Sequence, residues 1–472
     1  LWKREGARVE GDIVRASADW IRSLCAKAPR EFTQLARNRE RSVTIGGSNQ
    51  VFAPIYGAPF VRDLEGGRRY GDMAAFRDLV RLTYLHPNLH HGGFVTCEPC
   101  DVPVSKRHLD MLYAHIRHSD RAFMGAFIGA ERAGHAIDMA RILFGADFVA
   151  DNAVLYCVSN TNAPLVMDET MLWALKEYAQ AGQCTVVSPF VLGGAMSPVS
   201  VAATLAQVLA EVLASVALIQ LIRPGAPAVF GTFFSPISLR TGAPTFGTPE
   251  GTQFQMCAKT LADRLGLPFH SVGALTASKV PDAQAGYESA ATLAAVMHSG
   301  ANYIWHSAGW NEAGMHCSVA KFIVDAEQCA MAYRMAEGLK WDDFDVALDA
   351  VGDVGPGGHY LGHPHTQENF QEAFFMPEMF DNNSIEQWAA EGSVEITERA
   401  LNLDAAYKAG ESAQNIDAML LDLKQLATGL TLNDAVGMGF IVSYEETLSN
   451  APFFRAAISV DLLPDGVLSN EK

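Results

Sequence analysis

Positive charge is scarce in this chain: 35 Lys and Arg stand against 53 Asp and Glu, a net charge of −18 over 472 residues. An acidic surface repels phosphate backbones and offers no basic stripe for counterion release, which argues against a nucleic-acid partner. Cysteine is also sparse, with 8 residues, far below the density of a disulfide-stapled secreted scaffold, so reduced thiols are expected. A long unbroken apolar run is missing. The longest, Val201 to Ile222, is interrupted by Thr204, Gln207, Glu211, Ser215 and Gln220, so a buried helix is expected and no membrane span. No glycine-lysine phosphate loop occurs, and the turn after Cys97 is Glu98-Pro99-Cys100-Asp101, which cannot serve as the glycine turn of a dinucleotide-binding sheet.

What is present describes a compact enzyme. Apolar residues make up 49% of the chain and charged residues 19%, the proportions of a globular protein rather than a disordered one. A cytoplasmic location is expected. Because the sequence opens at Leu1, a preceding segment, including any targeting peptide, is left open.

Residues 1–90 read as an N-terminal extension. It has a helical pattern from Ile13 to Ala28 and two β-prone pieces, Ser42 to Ile45 and Gln50 to Ile55, with the turn signal Gly46-Gly47-Ser48-Asn49 between them, a hairpin pattern. A helix from Asp72 to Leu85 should stop at His86-Pro87. Residues 91–338 alternate short apolar runs with helical stretches. Seven candidate strands are Gly93 to Cys97, Ala122 to Ala126, Ala153 to Val158, Thr185 to Pro189, Ala228 to Phe233, Pro268 to Val272 and Asn302 to His306. Strand-helix repetition of this length implies a parallel sheet, and without a phosphate-binding turn the α/β class expected is a (β/α)8 TIM barrel. The eighth strand is either Gln50 to Ile55 or a piece after Lys340. Residues 339–472 read as a C-terminal helical layer contributing loops to the barrel mouth.

Five stretches, in order across residues 40 to 400, resemble the trimethylamine methyltransferase family. They are Gly193-Gly-Ala-Met-Ser-Pro198; Arg240-Thr-Gly242 with Gly247-Thr-Pro-Glu250; Pro281-Asp-Ala-Gln-Ala-Gly-Tyr-Glu288; Ala308-Gly-Trp-Asn-Glu-Ala-Gly314 leading to Asp325-Ala-Glu327; and Gly355-Pro-Gly-Gly-His-Tyr-Leu-Gly-His-Pro-His-Thr366. The resemblance implies a barrel that binds a methylated amine at its C-terminal face and passes a methyl group to the Co(I) of a separate corrinoid protein. The cobalamin would be supplied by that partner; this chain lacks the Asp-x-His-x-x-Gly pattern that corrinoid-binding domains use. A homo-oligomer is expected.

Trimethylamine-specific members of that family carry pyrrolysine just after the seventh strand, whereas Ala308 to Ser318 are standard residues here. The difference changes the substrate expected. A neutral tertiary amine needs an electrophile before it can give up a methyl group, but a quaternary ammonium leaves as a neutral amine and requires mainly in-line positioning and desolvation. Glycine betaine or a close analogue is therefore expected.

Residues at the C-terminal ends of barrel strands meet substrate, and a trimethylammonium head is best held by aromatic faces. Phe234, Trp310 and Tyr360 are the candidates, with ordinary packing as the alternative for each. Glu312 is a candidate catalytic carboxylate that would balance the ammonium charge, or else complements a helix dipole. His306 is a second catalytic candidate, touching substrate or only backbone. His359 and Arg240 are candidates for a substrate carboxylate. His359, His363 and His365 would together allow a metal-dependent hydrolase or lyase, but quaternary-amine chemistry gives a metal no task and none is expected. Cys97 and Cys100 form a lone Cys-x-x-Cys, more consistent with ordinary thiols than with zinc. A non-catalytic quaternary-amine binder is the remaining alternative.

Overall fold

A computed structural model of the protein describes residues 1–63 and 67–406. The stretch of the expected C-terminal layer beyond Ala406 lies outside the described residues. The centre is a curled sheet of seven parallel strands: β1 (Val51–Phe52), β2 (Phe123–Met124), β3 (Leu155–Ser159), β4 (Cys184–Val187), β5 (Ala228–Gly231), β6 (Phe269–Val272) and β7 (Tyr303–Trp305). Their spatial order is β1-β7-β6-β5-β4-β3-β2. Every residue of these strands is buried, as a parallel sheet covered on both faces requires, and this is why the strands read as continuous β-branched and aromatic runs.

Helices return the chain between strands: α1 (Met73–Leu85), α2 (Arg107–His118), α3 (Gly129–Phe144), α4 (Glu169–Gln180), α5 (Val201–Ile222), α6 (Pro249–Leu265), α7 (Ala283–His298) and α8 (Val319–Ala336). Local chemistry starts many of them. Asp72, Asp168, Ser200, Asp282 and Ser318 each cap a helix by accepting a backbone N–H from its first turn, satisfying donors that have no partner inside the helix. Gly266 closes α6 in the left-handed conformation at φ 68°.

The long apolar α5 is, among the described residues, the one helix with the length and composition to cross a membrane. Here it packs against the helix Ala18–Cys25, α4 and α6. Its Glu211 is buried and accepts hydrogen bonds from the Thr161 hydroxyl and from the Leu165 N–H at 2.9 Å, so the polar residues that interrupt the run have partners inside the protein.

Three expectations are corrected. The pieces around Gly46 do not pair as a hairpin: Val43–Gly46 pairs antiparallel with Glu31–Gln34, while Val51–Phe52 joins the main sheet beside β7. In that position Val51 and Phe52 are both buried. The helix expected from Ile13 starts at Ala18, capped by Ser17, and Ile13–Arg15 pairs instead with Arg8–Glu10. Gly93 to Cys97 is not a strand, because Gly93 turns the backbone to φ 67°. The segment just before it bonds to both edges of the sheet, however. The His91 N–H donates to Phe52 O (3.1 Å), the Gly92 N–H to Ala122 O (2.8 Å), and the Met124 N–H to Gly93 O (2.9 Å).

After α8 the chain forms the short helices Phe344–Val354, Pro364–Asn369, Ile385–Ala390 and Ile396–Ala406. The last packs on α8 through a small core of Ala320, Ile323, Met379 and Ala400.

Candidate functional site

Beyond β4 and β5 the chain stays extended, and Phe190–Gly193 pairs in parallel with Phe233–Pro236, Phe190 opposite Phe233. Thr232 turns outward to donate to the Gln255 carbonyl on α6; side chains alternate along an extended chain, so Phe233 turns the other way. There its ring meets Phe190 (5.1 Å between centroids), His306 (5.2 Å), Phe246 (5.5 Å) and Trp310 (5.7 Å). His306 and Trp310 are 4.3 Å apart with rings inclined at 65°, and Phe246 lies 5.2 Å from Trp310. The result is an aromatic cluster at the C-terminal ends of the strands. Phe246, His306 and Trp310 are buried and Phe233 is half-buried.

The loop after β7 builds the cluster's wall. His306 leaves the strand at φ 56°, and its Nδ1 accepts the Tyr56 N–H at 3.1 Å, which leaves the ring proton on Nε2. Burial, with a smaller contribution from His270, holds this imidazole well below its ordinary range; it is neutral. The Gly309 N–H donates to Asp325 (2.8 Å), itself paired with Lys321 (2.6 Å) in the interior. Trp310 Nε1 donates to Thr276 O at 3.2 Å, and the Glu312 N–H to Ser278 O at 2.7 Å. At Gly314, φ is 88° and a Cβ would stand 2.5 Å from the Trp310 ring; only glycine lets the loop turn against the indole.

Glu312 sits at the lip, bonded to Arg68 of the hairpin Phe60–Asp63/Gly67–Tyr70 at 2.8 Å and to His316 Nδ1 at 3.0 Å. Burial raises its affinity for a proton, but His316 and Arg68 outweigh this and its pKa ends below the ordinary value. Glu312 is thus an ionised carboxylate already engaged by two partners.

The structure brings His306 and Trp310 together and puts Glu312 on the same loop. It sends Phe234 elsewhere: the ring stacks on Phe254 of α6 at 4.5 Å. Arg240 and His359 are exposed, and Tyr360 is too, at 42%; no ring contact joins Tyr360 to the cluster among the described residues. His363 and His365 face different carboxylates, Asp353 at 3.5 Å and Asp343 at 3.4 Å. Among the described residues no three His, Cys, Asp or Glu side chains gather as a metal site would require. Cys97 is buried and Cys100 exposed. The sequence placed Phe233 at a strand end without singling it out for the aromatic box, and it gave no reading of Phe246, Arg68 or His316. For His316 there was a signal, since it stands four residues after Glu312.

The pattern of the trimethylamine methyltransferase (MTTB) family matches residues 1–422. The chain belongs to this family. It is accordingly a methyltransferase. It is 40% identical, over 401 residues and 85% of its length, to glycine betaine methyltransferase of Desulfitobacterium hafniense (strain Y51), covering 84% of that protein. Proline betaine:corrinoid methyltransferase of Eubacterium limosum is 24% identical over 399 residues, 81% of each chain. In fold the family member resembles monomethylamine methyltransferase (MtmB) of Methanosarcina barkeri, with a TM-score of 0.51 at 11% identity over 86% of this chain and 81% of that one.

Proposed function

We propose that this chain moves a methyl group from a quaternary amine, glycine betaine or a close analogue, to the Co(I) of a separate corrinoid protein docked over the mouth of a (β/α)8 barrel. In this reading the segment His91 to Gly93, bonded to β1 on one side and β2 on the other, closes the barrel in place of an eighth strand. The observation that carries the reading is the cluster of Phe233, Phe246, His306 and Trp310 around the strand ends. Aromatic faces attract a trimethylammonium group, which has no N–H to donate.

The polar residues nearby suit the same chemistry. A quaternary ammonium departs as a neutral tertiary amine, so the step demands no proton donor. His306 is buried and neutral, and the Glu312 charge is held by Arg68 and His316; the loop supplies position and a carboxylate facing the cation rather than acid or base catalysis. The corrinoid supplies the nucleophile. The kinship to glycine betaine and proline betaine methyltransferases supports the same substrate class.

The test is incubation with cob(I)alamin, free or on a corrinoid protein, and a panel of quaternary amines, monitored by the spectral change to methylcobalamin. Methylation with glycine betaine or an analogue is expected. No turnover with any member of the panel refutes the reading.

A further inference from the structure

Below the aromatic cluster the sheet encloses polar groups that the site as described does not use. Tyr156 on β3 stacks on Tyr303 of β7 at 4.5 Å, and His270 on β6 lies 5.9 Å from the same Tyr303 ring. His270 also meets Trp305 at 4.8 Å; Trp305 in turn is 5.8 Å from His306 and stacks on Tyr56. A ladder of rings thus leads from the interior up to the cluster. Tyr303 is satisfied, its hydroxyl 2.8 Å from His91 Nδ1. Among the described residues, Tyr156 Oη and both ring nitrogens of His270 have no hydrogen-bond partner, although both residues are 0% exposed.

Trp305 Nε1 on the same ladder is also unpaired among the described residues, and unpaired polar atoms this deep are costly in a core. Phenylalanine would fill the place of either Tyr156 or His270. Burial holds the His270 imidazole down to about 3, so it is neutral and presents one N–H and one lone pair. Buried polar groups are normally hydrogen-bonded, so donors left unpaired beneath an aromatic cluster call for a partner from outside the chain, a ligand or water.

We propose that Tyr156 and His270 form a carboxylate-binding floor beneath the ammonium subsite, donating the phenol O–H and the imidazole N–H to the carboxylate of a betaine. The inference rests on the quaternary-amine reading above and narrows it to zwitterions. Neutral donors fit this class: the carboxylate is already balanced by its own ammonium, so an arginine is not needed to neutralise it. The arrangement sets the substrate carboxylate-down, with the N-methyl groups toward the mouth where an acceptor can reach them. It also replaces Arg240 and His359, both exposed, as the carboxylate partners.

Calorimetric titration of the whole protein and of Tyr156→Phe and His270→Phe, each with glycine betaine and with choline, tests the floor. Choline keeps the trimethylammonium group and lacks the carboxylate. The protein should bind glycine betaine at least about tenfold more tightly than choline, and each variant should lose about tenfold for the betaine alone, the worth of one hydrogen bond to a charged group. Melting temperatures at or above that of the parent are expected, since each change removes an unpaired buried atom. Unchanged betaine affinity in both variants, or equal losses for both ligands, overturns the floor; the orphan atoms then bond only water. Methyl transfer to cob(I)alamin continuing in that case leaves the quaternary-amine reading standing. A protein that binds neither ligand refutes both.

Discussion

Gly314→Ala is a sharp test of how the loop after β7 holds its tryptophan. Two effects combine at this position. At φ 88° an alanine pays the left-handed strain of any L-residue, about 1–2 kcal/mol. In addition its Cβ would stand 2.5 Å from the Trp310 ring, a distance no contact tolerates, so the indole must move off Phe246 and His306. Gly338 separates the two terms. It has φ 76° with nothing among the described residues within 4 Å of its Cβ position, so Gly338→Ala carries the strain without the collision. Gly338→Ala should lose about 1–2 kcal/mol in denaturant unfolding, and Gly314→Ala about 1–3 kcal/mol more, because the displaced indole adds an overpacking cost. Only Gly314→Ala should also lose the cation-π contribution of Trp310, about 0.5–2 kcal/mol, or roughly twofold to thirtyfold in the Kd for glycine betaine. Titration of both proteins with the ligand reads this directly. A Gly314→Ala protein that binds as its Gly338→Ala counterpart does would show that Trp310 has no part in holding substrate.

Phe233→Leu should weaken glycine betaine binding by about 1 kcal/mol with little change in stability, whereas Phe234→Leu, which leaves Phe254 underpacked, should cost about 1–2 kcal/mol of stability and leave binding intact; the reverse pattern in titration and melting refutes the assigned faces. Lys321→Met strands the buried Asp325 carboxylate and should destabilise the protein by about 3–5 kcal/mol, seen as an earlier urea midpoint; a loss below about 1 kcal/mol would mean the pair contributes nothing to the loop. His270 bears on acid stability. Its folded pKa is about 3 against an ordinary 6.5, so between these values the unfolded chain binds a proton that the folded chain does not. The stability it contributes is whole above pH 6.5 and is lost as the pH falls toward 3. His270→Phe should flatten the stability-pH curve across that window, and an unaltered slope in denaturant titrations at several pH values would contradict the burial of a neutral ring.

What could be read from the sequence follows from which interactions are local. Ala153 to Val158 and Thr185 to Pro189 were legible as strands, and Leu155–Ser159 and Cys184–Val187 form them, because a strand buried on both faces announces itself by composition alone. The same property hides orientation. Ala228–Gly231 is buried throughout, so no polar-apolar alternation marks which residues face the interior, and nothing local anchors the facing of Phe233 and Phe234. The anchor is the bond from Thr232 to Gln255, 23 positions away. Helix starts were legible because a cap such as Asp72 or Asp168 acts within three residues. Gly93 to Cys97 failed as a strand for the opposite reason: its residue types suit extension, but the backbone is set by bonds from residues 91–93 to Phe52 and to the edge strand at Ala122 and Met124. Glu312 shows the limit in the site itself. Its place in the loop was visible in Ala308 to Gly314, yet its ion pair with Arg68, 244 positions earlier, was not. A carboxylate so held can still face a cation, but it cannot readily take up a proton, and that is what a methyl donor with a neutral leaving group permits.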